Sequence, residues 1–122
     1  MLIESYQKNG YQVLSIKEDM TISSDVSELK MLVNGYLNRK VLHIALLFTK
    51  DSYLYTKSIS ILVQCLEMIR EHGGSLAIIN PNEDILDIMN TLDFSRVIRI
   101  FPSEDDIMPP AADAAQNREG SA

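Results

Sequence analysis

Short apolar runs separated by longer amphipathic segments are the feature that most limits how this chain can fold. Residues 41–48 and 76–79 are nearly continuous apolar runs, which is typical of strands covered on both faces. Residues 11–16 and 97–101 have the length and apolar content of two further strands. The sequence therefore predicts at least four strands, of which two lie at the centre of a sheet.

Helices are predicted between these strands. Apolar residues recur at helical spacing over residues 25–37 and 58–72, and again in a third segment that carries Ile85, Ile88 and Met89. Strands that alternate with helices of this length need crossover connections. We therefore expect an α/β fold in which helices pack on a mainly parallel sheet of four to five strands.

The ends of the predicted helices carry local signals. Asp25 followed by Glu28 resembles a capping box at the first helix. Gly73-Gly74 is expected to end the second helix. Asn80 is the predicted cap of the third helix, with Pro81 in the first helical position.

The length of 122 residues fits one domain. Ser103 is predicted to start a final short turn, and Pro109-Pro110 to end or bend it. We place the domain at residues 1–108. Residues 109–122 are expected to form a disordered tail.

The charge of the chain bears on the class of partner. Its formal net charge is −6, and phosphate backbones are bound by clustered lysine and arginine, so a nucleic acid is not expected as a partner. Residues 1–10 lack the apolar core of a signal peptide, and the longest apolar run is too short to cross a bilayer. We therefore expect a cytoplasmic protein without membrane insertion.

Catalytic and cofactor sites are not indicated. Gly73 and Gly74 follow a helix, so they cannot cradle a phosphate at a helix N-terminus. His43 and His72 are isolated from other metal ligands. The single cysteine, Cys65, lies in an apolar helical stripe and is expected to be buried and unreactive. The sequence therefore predicts a protein that is not an enzyme and needs no cofactor or metal.

Residues 49–58 join the most apolar strand to the second helix and are rich in hydroxyl and aromatic side chains. Connections of this kind lie at the carboxyl edge of a parallel sheet, where binding sites gather. Such a composition is typical of contact surfaces. The predicted partner-binding residues are Asp51, Ser52, Tyr53, Tyr55, Thr56, Lys57 and Ser58.

Several segments together resemble the STAS domain, the fold of bacterial anti-sigma-factor antagonists. Residues 13–16 resemble its first core strand, and residues 41–48 its central strand. The segment Gly73-Gly74-Ser75-Leu76-Ala77-Ile78-Ile79-Asn80-Pro81 resembles the family's Gly-Gly, strand, Asn-Pro pattern. The resemblance implies a STAS-like fold and a role in signal transduction and transcription regulation through protein binding.

The phospho-switch motif of that family is Asp-Ser-Ser-Gly at the start of the second helix. The corresponding residues here are Tyr55-Thr56-Lys57-Ser58, so Lys57 occupies the place of the switch serine. A phosphate adds a charge of about −1.5 to −2 to such a surface, and a lysine cannot accept one from a serine kinase. Thr56 and Ser58 remain as substitute phosphosites.

Three functions are compatible with the resemblance. The leading hypothesis is a regulatory domain that binds a histidine-kinase-like anti-sigma factor. The second is the STAS subunit of a lipid-transport ATPase, and the third is a sensor of a small ligand held by Lys50, Lys57 and Arg96. The sequence does not determine the partner or the oligomeric state.

Overall fold

A computed structural model describes residues 1–110 of the chain. Residues 111–122, which hold most of the expected tail, lie outside the described residues. None of the helices within residues 1–110 has the length and hydrophobicity needed to span a bilayer. The elements are β1 (Ile3–Lys8), β2 (Tyr11–Ile16), α1 (Ser27–Asn38), β3 (His43–Leu47), α2 (Thr56–Glu71), β4 (Ser75–Ile79), α3 (Glu83–Thr91) and β5 (Arg99–Phe101), with 3₁₀ turns at Phe94–Arg96 and Glu104–Asp106.

The five strands form one sheet in the order β1-β2-β3-β4-β5. β1 pairs antiparallel with β2, whereas β2, β3, β4 and β5 are parallel to one another. The predicted α/β architecture with a mainly parallel sheet is thus confirmed. Because parallel crossovers are right-handed and the strands follow chain order, α1, α2 and α3 all lie on one face of the sheet.

The sheet has two buried faces. The face towards the helices carries large aliphatic side chains that pack with the apolar stripes of α1, α2 and α3. The opposite face carries a separate apolar cluster. Strand residues of the helix-facing side are Leu14, Ile16, Ile44, Leu46, Leu76 and Ile78; those of the opposite side are Tyr11, Val13, Ala45, Ala77, Ile79 and Phe101.

β1 was not predicted as a strand. It is an edge strand with three exposed positions, so it lacks the apolar run that marks the central strands. Asn9 and Gly10 connect it to β2 with φ of 49° and 89°. Two successive positive φ values are those of a type I′ hairpin turn, for which Asn-Gly is the preferred pair.

The predicted start of α1 is wrong in its detail. The N-cap is Val26, which makes no side-chain capping bond. Asp25 instead accepts hydrogen bonds from the backbone N–H and the hydroxyl of Ser27, at 3.1 and 2.6 Å. At the final turn, Ser103 takes the predicted position, and its hydroxyl donates to the Asp106 carboxylate at 2.8 Å.

The end of α2 is confirmed and its start is earlier than predicted, at Thr56. The N–H of Gly73 donates to the Arg70 carbonyl, and that of Gly74 to the Ile69 carbonyl. These two bonds form a Schellman motif, with Gly73 at a φ of 79°. The helix therefore stops where the glycine pair predicts.

Candidate functional site

Three connections meet at the carboxyl edge of the sheet. They follow β2, β3 and β4 and comprise residues 17–26, 48–55 and 80–82. The carboxyl ends of parallel strands share one edge, which is where ligands and partners of α/β folds bind. These residues, together with 56–58 at the start of α2, are called the carboxyl-edge surface below.

Ser52 fixes the first two connections to each other. It is buried, although it lies in a connection. Its hydroxyl accepts from the Met20 backbone N–H at 2.9 Å and lies 2.7 Å from the Thr49 hydroxyl. The Tyr53 N–H donates to the Met20 carbonyl at 3.0 Å, and Thr49 donates to the Asp19 carboxylate. Ser52 was predicted as a contact residue, and the structure places it beneath the surface as a support.

Asn82 fixes the third connection and was missed by sequence reasoning. Its side-chain oxygen accepts from the Ile85 N–H at 2.8 Å, so it caps α3. Its side-chain nitrogen donates to the carbonyls of Lys50 and Ser52, at 2.9 and 2.7 Å. The predicted cap, Asn80, instead lies directly after β4 in a left-handed conformation, with a φ of 47°. Acidic residues directly after Asn82 were the sequence signal that favoured the later position.

Tyr53 and Tyr55 project from this supported base. Both are exposed, Tyr53 by 41%, and their rings meet edge to face with centroids 4.8 Å apart. Ile22, in the connection after β2, is 75% exposed. Exposed aromatic and aliphatic side chains on an otherwise polar surface are typical of sites that contact other proteins.

The four residues predicted from the sequence to correspond to the phospho-switch motif, residues 55–58, lie at the start of α2. Tyr55 is the N-cap and makes no side-chain capping bond, whereas an Asp at that position is a preferred cap worth about 1 kcal/mol. Thr56 and Lys57 are exposed, and Ser58 is buried. The start of α2 therefore lacks a side-chain cap and presents an exposed lysine in its first turn.

Neither sign of charge dominates the surface. Hydrogen bonds from the Ser27 hydroxyl and N–H hold the pKa of the Asp25 carboxyl below its usual value, and the Lys57 ammonium lowers it further. The exposed carboxylates of the surface are Glu18, Asp19, Asp25 and Asp51, and the exposed ammonium groups are Lys17, Lys50 and Lys57.

The three cations considered for a small-ligand site are not brought together. Lys50 and Lys57 follow β3 at the carboxyl edge, whereas Arg96 precedes β5 at the opposite edge and pairs with Asp93 at 3.2 Å. An open depression of about 300 Å³ also lies away from the carboxyl edge, beside the β1–β2 turn. Over residues 1–110, no group of His, Cys, Asp and Glu is placed to hold a metal ion.

Burial shifts the pKa of two side chains outside the carboxyl-edge surface, those of Cys65 and His43. Cys65 is buried as predicted, and burial raises the pKa of its thiol to about 11. His43 pairs with the Ser75 hydroxyl at 2.8 Å, and burial lowers the pKa of its imidazole. These shifts favour a protonated thiol and a neutral imidazole at neutral pH, and neither residue belongs to the carboxyl-edge surface.

Comparison with known proteins assigns a family to this geometry. The STAS domain model matches residues 3–107. The crystal structure of a protein from Thermotoga maritima, described as a candidate anti-sigma factor antagonist, is 21% identical with a TM-score of 0.70, and the match covers 81% of this chain and 85% of that chain. The NMR structure of the same protein, TM1081, is 18% identical with a TM-score of 0.69, covering 84% and 82%. At these identities the likeness is one of fold. No curated protein sequence matches the chain.

Proposed function

Because the chain belongs to the STAS domain family, we propose that it is a non-catalytic regulatory domain that binds a protein partner through the carboxyl-edge surface. Its function is of the anti-sigma-factor-antagonist kind. The support comes from the exposed pair Tyr53 and Tyr55 beside Ile22. These side chains rest on connections that Ser52 and Asn82 hold in place, so little conformational entropy remains to be lost on binding.

The proposal about regulation rests on the position of Lys57. It is exposed in the first turn of α2, where the family's motif has the switch serine. Phosphorylation of that serine would place negative charge on the contact surface and weaken the complex. A lysine keeps a positive charge at this position and cannot be phosphorylated by a serine kinase. The domain is therefore expected to remain able to bind its partner whether or not such a kinase is active.

Thr56 is the substitute phosphosite that the geometry favours over Ser58. The Thr56 side chain is exposed, whereas Ser58 is buried beneath the first turn, and a kinase must reach the hydroxyl. If regulation by phosphorylation uses a neighbouring residue in place of the switch serine, protein isolated from its native cell carries one phosphate. The Thr56→Ala variant is expected to lack this phosphate, and the Ser58→Ala variant to retain it. A phosphate on Ser58 would contradict this order of preference.

Two classes of partner are considered. A histidine-kinase-like anti-sigma factor is the first, in keeping with the anti-sigma-factor-antagonist kind of fold. The second is a lipid-transport ATPase that has this chain as its STAS subunit. The fixed charge of Lys57 favours this class, because such a subunit remains bound to its ATPase. A captured partner of known sequence distinguishes the two. A small-ligand sensor is not favoured, because Arg96 lies at the opposite edge from Lys50 and Lys57.

Charge reversal at Lys57 tests the proposal. We expect Lys57→Asp to reduce the amount of partner captured from native lysate by at least about tenfold, because it imitates the charge of the phosphorylated motif. Lys40→Asp is the matched control. Lys40 is exposed at the opposite edge of the sheet with a φ of 63°, which Asp tolerates. Equal capture by both variants, or no captured protein with the unmodified chain, would contradict the proposal.

A further inference from the structure

β1 forms one end of the sheet, and no strand within residues 1–110 pairs with its outer side. The Lys17 N–H donates to the Leu2 carbonyl at 2.9 Å, and the register between β1 and β2 continues from there to the hairpin turn without interruption. Opposed residues of an antiparallel pair alternate between those that exchange backbone hydrogen bonds and those that do not. The even-numbered residues of β1 therefore bond to β2, whereas Ile3, Ser5 and Gln7 direct their N–H and C=O groups away from the sheet.

The two edges of the sheet differ in how they are protected against pairing with another chain. β5, at the other end, is three residues long and is followed by Pro102, which has no N–H to donate. Short strands and proline are common means of blocking an exposed edge. β1 is six residues long, contains no proline and pairs with β2 without a bulge. Its outer side is therefore a template for a further strand.

The charged residues of β1 are complementary to those of a second, antiparallel β1. Glu4 and Lys8 lie on the same face of the strand, on either side of Tyr6. When two copies pair about a two-fold axis at Tyr6, Glu4 of each copy lies directly opposite Lys8 of the other. These are non-hydrogen-bonded positions, where side chains are closest, and opposite charges stabilise such a pair. Ser5 of each copy then exchanges backbone hydrogen bonds with Gln7 of the other.

The neighbouring registers lack this match. The outward-facing backbone groups of the two copies must lie opposite one another, which restricts the registers that can form hydrogen bonds. An axis at Ser5 would set each Glu4 against Tyr6 of the second copy. An axis at Glu4 would bring the two carboxylates together, which destabilises a strand pair. The charge pattern therefore favours a second copy at this edge and the register with Tyr6 on the axis.

The ion pairs that these charges form within one chain leave them available to a second copy. Glu4 contacts Lys17 and Lys8 contacts Asp105, with nitrogen–oxygen distances of 3.6 Å in both cases. The side chain of Glu4 is 64% exposed and that of Asp105 is 98% exposed. Exposed pairs of this kind contribute little to stability, so exchanging or sharing them costs the folded chain little.

We propose that two copies of the chain associate through β1, antiparallel and with Tyr6 on the two-fold axis, so that their five-stranded sheets join into one. Such a contact is isologous, with the same residues contributed by both copies. The proposal is independent of the function assigned to the carboxyl-edge surface, because β1 does not belong to that surface.

Sedimentation equilibrium of the full chain and its charge variants tests the proposal. We expect the unmodified chain to form a dimer whose population rises with concentration. Glu4→Lys places like charges opposite each other and is expected to raise the dimer dissociation constant at least about tenfold. Lys8→Glu is expected to do the same. The double variant that combines Glu4→Lys with Lys8→Glu restores opposite charges and is expected to recover the dimer.

Glu71→Lys is the matched control for the change in net charge, because Glu71 is exposed at the end of α2. It is expected to leave the dissociation constant unchanged, and thermal unfolding shows whether each variant is folded. A chain that stays monomeric at its highest soluble concentration would overturn the proposal. So would a dimer that the single variants do not weaken, or one that they weaken and the double variant does not recover.

Cysteine substitution tests the register. Opposed residues at non-hydrogen-bonded positions have Cα atoms about 4.5 Å apart, which is within the range of a disulfide. Under mild oxidation Tyr6→Cys is therefore expected to give a disulfide-linked dimer. Ser5→Cys is expected to give much less, because the two copies of that residue lie diagonally across the axis, about 7–8 Å apart. The native Cys65 is buried. A higher yield from Ser5→Cys would overturn the register.

Discussion

Adjacent residues at the carboxyl edge have different tasks. Ser52 is buried and joins the connections after β2 and β3, whereas Tyr53 is exposed and makes a ring contact with Tyr55. The sequence indicated that both belong to one hydroxyl- and aromatic-rich connection. It could not separate them, because the separation depends on hydrogen bonds to Met20, a residue more than thirty positions earlier.

A matched pair of variants tests this division. Ser52→Ala leaves the buried Met20 N–H without its acceptor, so we expect the free energy of unfolding to fall by about 1–3 kcal/mol. Tyr53→Ser removes an exposed side chain and is expected to change stability by no more than about 0.5 kcal/mol, while it weakens partner capture. Urea unfolding measures the first effect and co-purification the second. Equal losses of stability in the two variants would contradict the assignment.

His43 gives a pH dependence with a defined sign. Burial lowers the pKa of its imidazole in the folded state, so near neutral pH and just below it the unfolded chain binds more protons than the folded chain. Stability should therefore rise as pH increases through this range, and fall as pH drops below the unfolded value of about 6.5.

The measurement for His43 compares urea midpoints at about pH 7.5 and about pH 5.5, on either side of the unfolded histidine pKa. The unmodified chain is expected to lose more stability on acidification than His43→Gln, whose amide can still bond to the Ser75 hydroxyl. Carboxylates titrate alike in both proteins, so the difference isolates the histidine. A steeper loss in the Gln variant would reverse the sign and contradict the burial effect.

At the scale of elements, the central strands were predictable because they are apolar runs, and the helices because their buried residues recur at helical spacing. β3 and β4 appear as apolar runs, and the Gly73-Gly74 pair marks the end of α2. β1 was missed because an edge strand needs few apolar residues, although Asn9-Gly10 marks its hairpin. The start of α3 was misplaced because Asn80 and Asn82 can both cap a helix, and the start of α1 because its N-cap, Val26, has no capping side chain.

Gly74 is constrained by close approach between elements. A Cβ on this residue would lie 1.9 Å from the Leu42 carbonyl oxygen, which accepts a bond from the Ser75 N–H at 3.1 Å. Because backbone and not a flexible side chain stands in the way, Gly74→Ala should destabilise the fold by about 1–3 kcal/mol or more.

Gly35 provides the control for that substitution. It lies within α1, and a Cβ there would meet no atom within 4 Å. Gly35→Ala should therefore stabilise the protein by about 0.5–1 kcal/mol through the better helix propensity of alanine. Thermal unfolding of both variants measures the contrast. A Gly74→Ala protein as stable as the unmodified chain would show that β3 and β4 can separate at little cost.

At the scale of the whole molecule, the sheet order separates three surfaces. The helices cover one face of the sheet, the opposite face carries the separate apolar cluster, and the carboxyl edge carries the exposed aromatics and Lys57. The family, and the location of residues 49–58 at the carboxyl edge of the sheet, could be predicted from local motifs, since each motif lies within a short segment. The supports from Ser52 and Asn82 could not, because they join segments that only the folded sheet brings together.

The central claim is that a protein partner binds at the carboxyl-edge surface, and site-specific photocrosslinking in the native cell tests it most directly. A photoreactive amino acid replaces Tyr53 in one experiment and Leu92 in the control. These side chains are 41% and 45% exposed, at opposite edges of the sheet. The account predicts a discrete crosslinked protein from position 53 and none from position 92. No crosslink at position 53, or the same product from both positions, would contradict it.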